Sequence, residues 1–83
     1  MEEHQFDFYK TNDMALVAFL RTTGHTPQAV RYEDTTCYWV FLYNDAIVTL
    51  VSEFSLGNAL AEPREFSRQY GVTKQEMYRA TRR

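Results

Sequence analysis

The sequence predicts a small α+β domain: an antiparallel sheet of about three strands packed on helices, in the order β-α-β-β-α-α-α. Three observations point to it. The segment Thr36 to Tyr43 is rich in β-branched and aromatic residues and follows a short polar turn, as the second strand of a hairpin does. Apolar residues fall at helical spacing on both sides of it, in Met14–Leu20 and at Ile47, Leu50, Val51 and Phe54. The chain has 83 residues, enough for one domain, 1–83, and no more.

Each element has a local reason. Gln5-Phe6-Asp7-Phe8-Tyr9 alternates polar and apolar residues, so a short first strand is expected. Thr11 or Asn12 then caps a helix from about Asp13 to Thr23, and Gly24 ends it. Its apolar residues surround nearly the whole circumference, which predicts a central helix buried on several sides. Pro27 releases an extended segment from Gln28 to Glu33, and Glu33-Asp34-Thr35 turns it into the Thr36–Tyr43 strand. There Cys37, Trp39 and Phe41 share the core face, while Tyr38, Val40 and Leu42 share the other. That second face is also apolar and needs a cover. Asn44 and Asp45 open an amphipathic helix that ends at Leu56-Gly57. Asn58 to Glu62 is a connection with room for a short edge strand. Pro63 suits the first position of a third helix, Arg64 to Tyr70, that Gly71 ends. Thr73-Lys74-Gln75-Glu76 matches a capping box, so a fourth helix runs to about Thr81.

Composition narrows the function classes. With 45% hydrophobic and 24% charged residues the chain is globular in type. One cysteine excludes an intramolecular disulfide, and stability must come from packing, with 13 aromatic residues to supply it. The longest apolar run, Met14 to Leu20, is far shorter than the ~20 residues a membrane span needs. No signal-peptide pattern follows the acidic start, so a cytoplasmic protein without membrane association is expected. A homodimer is a second route to stability. Charge is uneven: residues 1–62 hold three basic against nine acidic residues, and residues 63–83 hold six basic against two acidic. The basic segment suggests an anionic partner.

Reactive chemistry is sparse. A closed zinc site takes four Cys or His ligands, and the chain has three such residues, His4, His25 and Cys37, none at paired spacing. Cys37 with His25 is the one candidate nucleophile–base pair, and both residues have ordinary structural roles as a buried hydrophobe and a helix-end residue. Glu33-Asp34 and Glu62 with Glu65 are read as solvated. The glycines stand too far apart for a phosphate loop. No catalytic residue, metal ligand or cofactor is assigned.

The basic segment carries a pattern with a mechanism. Ser67, Gly71, Val72, Met77 and Ala80 resemble the small, turn and apolar positions of a helix-turn-helix. Its second helix would present Lys74, Gln75, Tyr78, Arg79 and Arg82, with Arg68 and Arg83 nearby, to DNA. Nucleic acid is therefore one candidate partner.

The order of residues also resembles a known family. It rests on Tyr9-Lys10-Thr11-Asn12-Asp13-Met14-Ala15-Leu16, the Gly24-His25 stop, Cys37-x-Trp39-x-Phe41, Leu50-Val51-x-x-Phe54 and Ala61-Glu62-Pro63-Arg64-x-Phe66. The chain resembles, from about Phe8 to Tyr78, a family of small bacterial and phage proteins known only as a domain of unknown function. The resemblance implies an α+β protein often carried by phages or mobile elements, and it brings no catalytic residue. Small phage proteins of this kind often act as stoichiometric binders, some of them inhibitors of host defence such as CRISPR effectors. The leading expectation is thus a non-enzymatic protein that occupies a host protein surface, with Tyr32, Tyr38, Val40 and Leu42 as the contact face. DNA binding through residues 63–83 is the alternative.

Overall fold

The computed structural model describes residues 8–81. It is an α+β domain with a three-stranded antiparallel sheet and helices on one face. The strands are β1 (Phe8–Thr11), β2 (Ala29–Glu33) and β3 (Thr36–Leu42), and the helices are α1 (Met14–Thr22), α2 (Asp45–Ser55) and α3 (Pro63–Thr81). Strand order is β1-β3-β2, so the most apolar strand lies in the centre. Of the expected first strand, residues 5–7 lie outside the described residues. The strand continues to Thr11, two residues past its expected end, by pairing with Trp39 to Leu42.

Asp13, rather than Thr11 or Asn12, caps α1. Its Oδ1 accepts from the N–H groups of Ala15 and Leu16 at 3.0 and 3.2 Å. Thr11 supports the cap indirectly, its Oγ1 accepting from the Asp13 N–H. A carboxylate here also answers the helix dipole. Gly24, at φ 95°, closes α1 with a paired hydrogen-bond stop, in which the N–H groups of Gly24 and His25 reach the carbonyls of Arg21 and Leu20. Gly57, at φ 80°, ends α2 in the same way.

As expected, α1 is enclosed: Leu16 through Leu20 are all buried. With Cys37, Trp39, Phe41 and Ile47 these residues form the core, and Leu50, Val51, Phe54, Phe66, Met77 and Ala80 pack around it. Phe19 and Phe54 meet ring to ring at 5.9 Å. The hairpin turns at Asp34 and Thr35, which both adopt left-handed backbone conformations, φ 49° and 64°. That is the primed two-residue turn whose twist suits a hairpin, built here without the usual glycine.

The C-terminal half differs from expectation. Residues 63–81 form one helix, with no turn at Gly71 and no second start at Thr73. The reason is an unbroken period: Phe66, Tyr70, Thr73, Met77 and Ala80 fall at i, i+4, i+7, i+11 and i+14 on one face. Burying that continuous stripe outweighs the ~1 kcal/mol that a mid-helix glycine costs. Thr73 is not a cap but a fully buried side chain within the helix, its hydroxyl donating to the Gln69 carbonyl at 2.9 Å. The real start of the helix is at Pro63, where the Glu62 carboxylate accepts from the Glu65 N–H at 2.6 Å. The connection 58–62 forms no strand.

Candidate functional site

Register decides which side chains share a sheet face. Cys37, Trp39 and Phe41 point toward the helices with their pairing partners Tyr32, Val30 and Tyr9. The outer face carries Phe8, Lys10, Ala29, Arg31, Tyr38, Val40 and Leu42. Tyr32 therefore does not join the expected contact face. It stands opposite Cys37 on the helix side, exposed only because β2 is an edge strand.

The outer face has two halves. Lys10 spans one of them, its ammonium 4.7 Å above the Tyr38 ring and 2.9 Å from the Glu33 carboxylate. In the other half Phe8 and Leu42 lie directly opposite each other and are 53% and 50% exposed. Val40 is buried beside them, yet it belongs to no part of the helix-side core. No helix among the described residues covers this face.

The second exposed surface is the outward side of α3. Arg64, Ser67, Arg68, Gly71, Lys74, Gln75, Tyr78 and Arg79 are all exposed there. Four of the predicted nucleic-acid residues besides Arg68 thus share one face, Lys74, Gln75, Tyr78 and Arg79, although no helix-turn-helix presents them. Arg82 and Arg83 lie outside the described residues. Arg68 is held by both oxygens of Glu65 at 2.8 Å. Hydrogen bonds from Gln69 and then Arg68 keep the Glu65 carboxyl below its usual range.

One constellation escapes the sequence reading. Glu76 accepts from the Trp39 indole N–H through Oε1 at 2.8 Å and from the Arg21 guanidinium through Oε2 at 2.5 Å. It ties α3 to β3 and to α1. The Arg21 side chain is 11% exposed, and its Nε has no hydrogen-bond partner. Two signals in the sequence pointed to it. Arg21 is the single charge in an otherwise apolar helix, and a core tryptophan needs an acceptor for its N–H.

The candidate thiol–imidazole pair is not brought together. Cys37 sits near the hairpin turn, whereas His25 lines a small cavity of about 170 Å³ beside Phe41 and Leu42. Phe41, beside that cavity, is four steps along β3 from Cys37, roughly 13 Å. The His25 Nδ1 shares a hydrogen bond with Thr23 Oγ1 at 3.1 Å. Burial, and then the Glu76 carboxylate, push the Cys37 thiol above its ordinary value. That is the reverse of what an activated nucleophile needs. A second cavity of about 200 Å³ lies between Tyr9, Tyr43, Ile47, Val48, Val51 and Ser52, a lining without carboxylate, imidazole, amine or thiol. Among the described residues no group of three or more His, Cys, Asp or Glu is placed to hold a metal, and no helix is long and apolar enough to cross a membrane. Comparison of the chain with protein-family models, with curated proteins and with solved structures finds no match.

Proposed function

We propose that this is a non-enzymatic binding protein that acts by covering a surface of a partner protein through the outer face of its sheet. The observation that supports this reading is the facing pair Phe8 and Leu42, half exposed on a strand face that no described helix covers. An exposed apolar pair on a rigid sheet, rimmed by Lys10, Arg31 and Glu33, has the anatomy of a small interface: apolar centre, polar edge. The buried Cys37 with its raised thiol value, set apart from His25, favours binding over nucleophilic chemistry in this reading. The family resemblance adds the setting, a phage or mobile-element protein acting on a protein of its bacterial host.

The test is capture of a partner from nuclease-treated host lysate by the tagged protein, beside its Leu42→Asp variant. Leu42 is half exposed, so the variant is expected to fold, and its melting curve is recorded beside the capture. One partner retained by the native chain and lost by Leu42→Asp, but kept by Val48→Asp on α2, supports the proposal. Equal capture by native protein and Leu42→Asp refutes it. A native chain that runs as a dimer, with Leu42→Asp a monomer, assigns the face to a second copy instead.

A further inference from the structure

We propose that the outward face of α3 is a docking surface for the phosphate backbone of duplex nucleic acid, with Gly71 at the point of closest approach. The proposal does not depend on the sheet face and concerns the opposite layer of the molecule.

The first observation is charge. Arg64, Lys74 and Arg79 are exposed, and none has a carboxylate within ion-pair distance among the described residues. The acids of the helix do not cancel them. Glu65 is occupied by Arg68 and Gln69, and Glu76 by Arg21 and Trp39. The three unpaired cations Arg64, Lys74 and Arg79 lie along roughly 22 Å of one rigid helix.

The second observation is Gly71. It lies mid-helix on the exposed side, where glycine is the poorest choice after proline. Its backbone is ordinary helix, and a Cβ added there meets nothing within 4 Å. Neither conformation nor packing in the folded chain calls for glycine. It leaves a dip in the helix surface with Arg68, Lys74 and Gln75 around it, where a backbone can come close. Two of these groups suit phosphate oxygens, the Lys74 ammonium and the Gln75 side-chain amide, with the Tyr78 hydroxyl one turn on. A membrane surface fits less well. The apolar stripe of α3 packs against the core, and Val72 and Tyr78 alone among its exposed residues are large and hydrophobic, too few for an apolar face to insert. An α-helix also matches the ~12 Å width of the major groove.

The experiment is fluorescence anisotropy of a labelled 20-base-pair duplex titrated with the full chain between about 50 and 200 mM salt. Three unpaired cations correspond to a slope near −2.7 in log affinity against log salt, about a 40-fold loss across that range. The double variant Lys74→Ala/Arg79→Ala is expected to flatten the slope by close to 2. Gly71→Leu, a good helix former on an open surface, is expected to fold normally and to bind at least ~10-fold more weakly through lost approach. Leu42→Asp is expected to bind like the native chain. No duplex binding at 50 mM salt, or a slope that survives the double substitution, overturns the assignment. Unchanged affinity in Gly71→Leu overturns the role of Gly71. Binding to phosphatidylserine vesicles with none to duplex gives the face to lipid and overturns it too.

Discussion

Replacing Glu76 by alanine tests the account of how α3 is held. The substitution removes one carboxylate with two partners. Arg21, 11% exposed, loses its counter-charge and keeps an Nε that is already unpartnered. Trp39, 1% exposed, loses the acceptor of its N–H. Removing one member of a buried pair costs roughly 3–5 kcal/mol. Glu76 is 24% exposed, so water reaches it and the ionic part falls to about 2 kcal/mol. An orphaned indole N–H adds about 1 kcal/mol. The expected total is ~3 kcal/mol, a large share of the 5–15 kcal/mol that domains typically have. For a chain of this length that lowers the melting temperature by roughly 12–24 °C. Urea unfolding followed by Trp39 fluorescence measures it directly, because the chain has one tryptophan. Glu76→Gln keeps an acceptor for Trp39 and loses the charge, so about two-thirds of the effect is expected. Arg21→Met combined with Glu76→Met should cost less than the two single changes together, since neither then leaves a lone buried charge. A loss below about 1 kcal/mol in Glu76→Ala would refute the network as the tie between α3 and the body.

Three more outcomes follow from other parts of the fold. Thr35→Gly should stabilise the protein by about 1 kcal/mol, because a β-branched residue at φ 64° carries a steric cost that glycine lacks; a thermal melt that falls instead contradicts the turn. Gly71→Ala should stabilise by roughly 0.5–1 kcal/mol in a continuous helix and destabilise if Gly71 were a turn, so chemical denaturation separates the two. Cys37 should resist alkylation at neutral pH until the chain is unfolded. Its raised thiol value means that the unfolded state loses the proton first as pH rises, so stability is full below the unfolded value of about 9 and declines above it. The decline should be steeper in the native chain than in Cys37→Ala, and equal slopes would sink the argument.

Legibility in the sequence followed the range of the interactions. The stops at Gly24 and Gly57, the cap at Asn44, the hairpin and the core face of Cys37, Trp39 and Phe41 are set by neighbours a few residues away. All of them could be read. The break expected at Gly71 was a local inference overruled by a longer period: the stripe from Phe66 to Ala80 runs straight through it. The capping box at Thr73-x-x-Glu76 had the right letters for a helix start. Each of its two residues instead serves inside the helix, one filling the interior and one reaching two other elements. Tyr32 was misplaced because its face depends on register, which pairs it with Cys37. The polar residues of α3 are legible from charge and from the helix-turn-helix pattern, although the structure has no such motif. That they share one uninterrupted face required the helix to be seen whole.

The Arg21–Trp39–Glu76 tie joins the first, middle and last portions of the chain. During synthesis Arg21 and Trp39 emerge well before their acceptor. At ~5–20 residues per second the interval is seconds, long against helix and hairpin formation. A nascent chain that has reached only α2 must leave the guanidinium and indole in water, and so cannot yet close its interior. Docking of α3 is therefore the committing step, and a chain truncated before residue 76 should be protease-sensitive.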